Sequence, residues 1–299
     1  MLSVLIPIYN FDITSLVDDL HRQLSVSAID FEIIAIEDGS IQFLNENQTV
    51  ENLQFVQYKA LDKNIGRAAI RNLLADNAKY DYLLFLDCDM EIYNNNFIEK
   101  YLEFCQKDCI VLGGRTIYRE NTDKNCSLMY KYSKEKEQFN DKNLKIRQKY
   151  SVFTSPNFLI YRNIFKYVRF DEAIKEYGHE DTIFGLMLNN AGYKFIYIDN
   201  PVINNGLEDN QKYIQKTEIA LNTLYKIHKS NKYPQLKEVS KIVSLFVFCK
   251  KIRINKATGK LFLLFKKLIV DNLISTNPSL LLFDCYKLGY FCNLKSYGL

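Results

Sequence analysis

Tryptophan is missing from this 299-residue chain, and nowhere do about 18 apolar residues run without interruption. The second absence argues against a conventional membrane-spanning helix. The first goes with abundant Tyr, Phe, Asn, Ile and Lys and reads as a genomic bias. Seven cysteines include no Cys-x-x-Cys and no regular spacing, which fits neither a disulfide framework nor a cysteine zinc site. Reduced thiols, and thus a cytoplasmic location, are the expectation. Met1-Leu2-Ser3-Val4 leads into a strand with no positive n-region or cleavage site, so secretion is not expected. There is no internal repeat and no low-complexity segment.

What is present is a hydrophobic fraction of 47%, enough for a globular core. The net charge of +4 is unevenly spread. Residues 211–299 hold sixteen Lys/Arg against four Asp/Glu, a balance of +12; residues 1–210 hold 23 against 31, a balance of −8. Opposite balances predict two parts with separate jobs, 1–210 and 211–299.

The first part alternates apolar runs with amphipathic stretches. Strands are predicted at Leu2–Ile8, where Pro7 terminates the run, at Phe31–Ile36 and at Gln54–Tyr58. Asp12 to about Ser27 has apolar residues at Ile13, Leu16, Val17, Leu20 and Leu24, a helical spacing. A second helix is predicted over Asn64–Ala78, with Ala68, Ala69, Leu73 and Leu74 inward. Tyr82–Leu86 is an unbroken apolar run that reads as a buried strand of a mostly parallel sheet. That rhythm implies an α/β fold with helices on both faces. Further on, helices are predicted at Phe97–Gln106 and Glu180–Asn190, and strands at Ile110–Leu112, Asn157–Tyr161 and Tyr193–Ile198. The charged, Tyr-rich stretch Asn121–Lys149 has no clear pattern. From Ile214 onward the pattern is helical, with breaks near Pro234, Gly259 and Pro278.

Asp87-Cys88-Asp89 ends the Tyr82–Leu86 run. On an extended backbone Asp87 and Asp89 point to one side and Cys88 to the other. Two hard carboxylates at the carboxyl end of such a strand, where open α/β sheets bind ligands, suit Mg²⁺ or Mn²⁺ completed by a phosphate. Alone, the triplet is a weak signal, since Asp-x-Asp is common by chance and is more often a solvated turn. Glu37-Asp38-Gly39-Ser40 closes the second strand, where Asp38 can accept from a base N–H or shape a turn. Tyr9 follows the first strand, placed to stack on a base or to sit at a rim. Glu180-Asp181 opens a helix, where the macrodipole favours ionised carboxylates.

Taken together these residues resemble the inverting family 2 glycosyltransferases of the GT-A fold. Ser3-Val4-Leu5-Ile6-Pro7-Ile8-Tyr9-Asn10 is similar to the family's S-V-x-I-P-x-Y-N, and Glu37-Asp38-Gly39-Ser40 to its D-D-G-S. Asn64-Ile65-Gly66-Arg67-Ala68-Ala69-Ile70-Arg71-Asn72 matches N-x-G-x-x-x-A-R-N except for Ile70. Phe85-Leu86-Asp87-Cys88-Asp89 matches F-L-D-x-D, and Phe170-Asp171-Glu172 with Glu180-Asp181 matches F-D-E and E-D. The likeness covers about the first two thirds of the chain.

The resemblance implies a Rossmann-like, mostly parallel sheet flanked by helices over 1–210, which binds the nucleotide-sugar and carries catalysis. Residues 211–299 form a basic helical C-terminal extension. It puts Pro7, Tyr9, Asp38, Asn64, Gly66, Arg71, Asp87 and Cys88 around the nucleotide-sugar, with Asp38 at the uracil edge and Cys88 turned to the core. Asp89 is the direct ligand of Mg²⁺ or Mn²⁺, with Asp87 nearer the ribose or bound through water. Asp181 is the catalytic base and Glu180 positions it or binds an acceptor hydroxyl. Arg67, four residues before Arg71, is a second cation or a plain surface partner. Many relatives carry a metal-ligating His after the last sheet strand; here that region reads Asp199-Asn200-Pro201-Val202-Ile203-Asn204-Asn205. Asn204, Asn205, water or phosphate would fill the place. Gly113-Gly114 lets backbone approach the donor or forms a bulge.

The implied activity is sugar transfer from a nucleotide-sugar, a UDP-sugar foremost, to a hydroxyl of a saccharide or lipid-linked glycan in bacterial surface polysaccharide assembly. One rival is a sugar-phosphate nucleotidyltransferase, whose glycine-rich basic loop is absent from Ile8-Tyr9-Asn10-Phe11-Asp12. The other is a catalytically inactive GT-A-fold binding or scaffold protein, against which Asp87, Asp89 and Asp181 argue. Leu261–Phe265, Lys266-Lys267, Leu268–Val270, Lys250-Lys251 and Arg253 interleave bases with apolar helical residues. That suits an interfacial arm on an anionic inner membrane face, or a bundle with a solvated basic side. Nucleic acid is not an expected partner.

Overall fold

The computed structural model describes residues 1–105, 109–114, 116–118, 123–142 and 153–294, for 116–118 and 136–142 the backbone only. The chain divides into two compact units. The first comprises Met1–Arg119, Asn143–Lys175 and Glu180–Gly206; the second Glu120–Lys142, Glu176–His179 and Leu207–Leu299.

Among the described residues the first unit has ten strands: β1 (Leu2–Ile8), β2 (Phe31–Glu37), β3 (Val56–Ala60), β4 (Tyr82–Leu86), β5 (Met90–Glu91), β6 (Cys109–Leu112), β7 (Thr116–Tyr118), β8 (Asn157–Tyr161), β9 (Lys194–Tyr197) and β10 (Val202–Asn204). Seven form one sheet in the order β3-β2-β1-β4-β8-β6-β9, mostly parallel, with β8 antiparallel to both neighbours. Alternation along β1 explains the layering. Leu2, Val4, Ile6 and Ile8 pack with Leu16, Val17, Leu20 and Leu24 of the helix Thr14–Val26. Leu5 packs on the opposite face with Ala68, Ile70 and Leu74 of the helix Arg67–Asn77. The expected helix-flanked α/β sheet is thus observed.

Several boundaries move for physical reasons. Pro7 lies inside β1, beyond Leu5, the last residue in register with β4, so its missing N–H breaks no pair there. The third strand sits two residues later than predicted. The helix predicted from Asn64 begins at Arg67, after Gly66 at φ 93°. Its buried side carries Arg71 and Asn72 as well as Ala68 and Leu74, while Ala69 and Leu73 are only half-buried. The helix at Phe97 ends at Leu102, and Gln106 lies outside the described residues.

Asp87-Cys88-Asp89 is not extended: β4 stops at Leu86, and Met90 N–H donates to the Asp87 carbonyl at 3.2 Å to close a turn. The turn feeds β5, which joins an unforeseen small sheet, β5-β10-β7. Its two- and three-residue strands are too short to leave a period in the sequence.

The second unit is helical. A helix Ser127–Lys142 occupies much of the stretch that had no clear pattern; 121–122 and 143–149 lie outside the described residues. The others are Asn210–Ser230, Leu236–Val239, Lys241–Lys251, Asn255–Leu273 and Leu280–Asn293, around Leu128, Ile214, Phe262, Leu273, Phe283 and Tyr286. Asp209, Ser240 and Ser279 cap three of them through side-chain oxygens. Breaks fall at Pro234 and Pro278 as predicted, but Gly259 is buried inside a helix. A Cβ there would meet the Asn293 backbone at 3.4 Å, so this glycine serves close helix packing. The break comes earlier, where Arg253 takes φ 63°. No helix among the described residues is long and apolar enough to cross a membrane.

Candidate active site

The carboxyl ends of β1, β2 and β4 and the heads of two helices carry the polar residues singled out above. After β2, the buried Asp38 carboxylate accepts from the backbone N–H of Ile65 at 2.6 Å and Gly66 at 3.1 Å, and Asn64 Nδ2 donates to its carbonyl at 2.9 Å. Burial raises the Asp38 pKa, and the two N–H donors oppose that. Two acceptances leave lone pairs for a ligand, since a carboxylate offers about four sites. Gly39 makes the approach feasible: it takes φ 71°, and a Cβ would stand 2.3 Å from Asn64 N. Glu37 is fully buried and accepts from Ser40 Oγ, Asn47 Nδ2 and Tyr58 OH. Ser40 belongs to the same short motif, but Asn47 and Tyr58 come from other segments, so the local sequence shows only part of the Glu37 hub. Tyr9 is 56% exposed beside this loop, open to stacking.

Arg71 is the centre of the cluster. The helix Arg67–Asn77 buries it to 1% exposure, where Nη2 donates to Asp87 Oδ1 at 2.6 Å and Nη1 to Glu180 Oε1 at 3.3 Å. Its guanidinium lies 5.4 Å from the Phe170 ring centroid. The resemblance put Arg71 at the nucleotide. In the structure its contacts are the acidic turn after β4 and the head of the helix Glu180–Asn190, while half-exposed Arg67 comes to 3.6 Å from the same Glu180 oxygen. Asn72, one residue on, receives Phe170 N–H at its Oδ1 and donates from Nδ2 to the Phe170 carbonyl and Glu172 Oε1. Two of the sequence motifs are therefore bound to each other.

Asp89 is half-buried, and burial followed by the Asp87 charge pushes its pKa up to about 6. The turn, rather than strand alternation, keeps these two carboxylates close. Cys88 packs against the core, and burial pushes its thiol up to about 12, which disfavours the reactive thiolate. Asn204 of β10 donates from Nδ2 to Asp89 Oδ2 at 3.2 Å, while its Oδ1 accepts from Gly206 N–H at 2.8 Å. Asn205 turns instead to Glu91 Oε2 at 2.9 Å. Asn204 therefore orients Asp89 through its amide nitrogen. Among the described residues no three His, Cys, Asp or Glu side chains converge as a metal cage. A carboxylate pair completed by phosphate oxygens and water is a donor set that fits Mg²⁺ or Mn²⁺.

Asp181 lies in the first turn of its helix, as predicted, with Oδ1 accepting from Thr182 N–H at 2.6 Å. The shift runs opposite to the one the helix terminus led us to expect, although the acid stays mostly ionised at neutral pH. Burial and then the Glu180 charge push its pKa up to about 6, against weaker help from Thr182 N–H, Arg71 and Arg67. The Arg67 charge acts on both Asp89 and Asp181, so the acidic turn and the helix head share one electrostatic neighbourhood. Gly113 faces inward: a Cβ would meet Asn157 Nδ2 and the Tyr101 hydroxyl.

A sequence profile described as Glycosyl transferase family 2 matches residues 3–169, more than half of the chain. The chain belongs to glycosyl transferase family 2. An uncharacterized glycosyltransferase of Rickettsia felis is 32% identical over 123 residues, 41% of this chain; the match spans only 20% of that relative's length. The mannosyltransferase PcManGT from Pyrobaculum calidifontis, solved with GDP-Man and Mn²⁺, superposes with a TM-score of 0.60 at 11% identity, over 99% of this chain and 86% of that one. Staphylococcus aureus TarS 1–349, solved with UDP-GlcNAc, gives 0.50 at 14% identity, over 99% and 91%. At those identities the likeness shows the fold, which is GT-A. As a family 2 member the chain has its profile match on the sheet strands β1 to β8 and on the Asp38, Arg71 and Asp87-Cys88-Asp89 segments.

Proposed function

We propose that this chain is a metal-dependent inverting glycosyltransferase that moves a sugar from a nucleotide-sugar, a UDP-sugar, to a hydroxyl of a saccharide or lipid-linked glycan. The observation that carries this reading is Arg71, which ties Asp87 after β4 to Glu180 at the helix head. Asp89 lies two residues after Asp87 and Asp181 one after Glu180, and both feel the Arg67 charge. Asp181 takes the acceptor hydroxyl's proton, and the oxygen attacks the anomeric carbon as the bond to the diphosphate breaks. A single displacement inverts the configuration. A base with a pKa of about 6 is well matched to neutral pH, an effect worth roughly 10²–10⁴-fold. Asp89, with Asp87 beside it, would hold Mg²⁺ or Mn²⁺, which supplies Lewis-acid stabilisation of the leaving diphosphate. Tyr9, Asp38, Asn64 and Gly66 line the loops that would receive the nucleoside, with Pro7 leading into Tyr9.

The setting we infer is surface polysaccharide assembly on the cytoplasmic side. Seven cysteines with no Cys-x-x-Cys and no regular spacing agree with a reducing compartment. The deciding experiment compares nucleoside diphosphate release by wild type, Asp181→Asn and Asp89→Ala across a panel of nucleotide-sugars with Mn²⁺. Both variants are expected to lose at least about 10²-fold. Release as fast as wild type in both would overturn the assignment.

A further inference from the structure

The helix Asn255–Leu273 buries Phe262, Leu273 and Gly259 and leaves another face bare. At about 100° per residue, Leu261, Leu264 and Leu268 fall within a sector of roughly 60°. They are 59%, 74% and 66% exposed, and 44%-exposed Phe265 widens the strip. Lys256, Lys260 and Lys267 are exposed and fall together in the next sector. Asp271 is the only acid on the helix. The preceding helix repeats the arrangement: Leu245, Phe248 and Ile252 are exposed at i, i+3 and i+7, with Lys250, Lys251 and Arg253 at its end.

We propose that this strip docks on an anionic lipid surface, lying in the interface plane with the leucines among the acyl chains and the lysines at the headgroups. Charge decides the occupant. From Lys241 to Ile274 the chain carries eight Lys/Arg and one Asp. A second copy meeting this face across a two-fold axis would set one lysine row against another, which is repulsive. An anionic leaflet complements both features, apolar strip and basic row. The inference rests on no residue of the carboxylate cluster, so it stands or falls separately from the transferase reading.

The test is flotation of the full chain with phosphatidylcholine vesicles, with and without phosphatidylglycerol. Wild type is expected to float only with phosphatidylglycerol and to be released by high salt. Replacing Lys256, Lys260 and Lys267 by Ser should lower partitioning roughly 100-fold, about fivefold per lysine. Leu264→Ser with Leu268→Ser should lower it at least about tenfold even at low salt. Both variants should keep the wild-type melting temperature and nucleoside diphosphate release. Equal flotation on neutral vesicles, unchanged flotation of both variants, or a wild-type dimer that the leucine variant dissociates would each overturn the proposal.

Discussion

Arg71 Nη2 sits 2.6 Å from Asp87 Oδ1 in a site from which both side chains are largely shielded, and the same guanidinium reaches Glu180. Removing the cation leaves Asp87 without this partner and Glu180 with only the half-exposed Arg67, 3.6 Å away. Arg71→Met should destabilise the protein by about 3–5 kcal/mol at pH 7 in a urea melt. Arg71→Lys should recover only part, since one ammonium lacks the planar fork that serves two partners. An Arg71→Met protein as stable as wild type would show that the two ion pairs contribute nothing net.

Asp181 should trade stability for activity. Its folded-state pKa is raised from 3.8 to about 6, so its contribution is fully present below the unfolded value and lost as pH rises through about 6. Asp181→Asn should therefore be more stable than wild type at pH 8, by up to about 3 kcal/mol, with the gap closing toward pH 4. Calorimetry across that range reads it. Sugar transfer should run the other way, rising with pH around a kcat/KM midpoint near 6, because the base must be ionised.

Gly39 should tolerate no side chain. Gly39→Ala combines φ 71° with a Cβ 2.3 Å from Asn64 N. The expected cost is roughly 2–4 kcal/mol in a denaturant melt. Because Ile65 and Gly66 would move with Asn64, Asp38 should lose its two donors, and calorimetric UDP affinity should fall with stability.

Asn204 should matter to the metal without being its ligand. Its amide nitrogen orients Asp89 Oδ2, and its amide oxygen is held by Gly206 N–H. Asn204→Ala should weaken Mn²⁺ affinity roughly 10-fold or more in a titration followed by electron paramagnetic resonance. Chelation should stop nucleoside diphosphate release, and Mn²⁺ should restore it in wild type but not in Asp89→Ala.

What could be read without coordinates follows from local rules. Apolar runs such as Tyr82–Leu86 and the period of Leu16, Val17, Leu20 and Leu24 depend on neighbours a few residues away, and those elements formed where predicted. The five motifs pointed to the family for the same reason, as each is built from short contiguous strings. The opposite charge of residues 1–210 and 211–299 is likewise composition alone.

Tertiary structure decided what each motif residue touches. Arg71 meets Asp87 and Glu180, 16 and 109 positions away, and no period or propensity encodes such a meeting. The same holds for Asn204 beside Asp89, brought there by a sheet of two- and three-residue strands. Asp181 shows the principle most directly. Its place in a helix head is local and argued for an ionised acid, but its burial beside Glu180 is set by the whole fold, and desolvation outweighs the helix terminus.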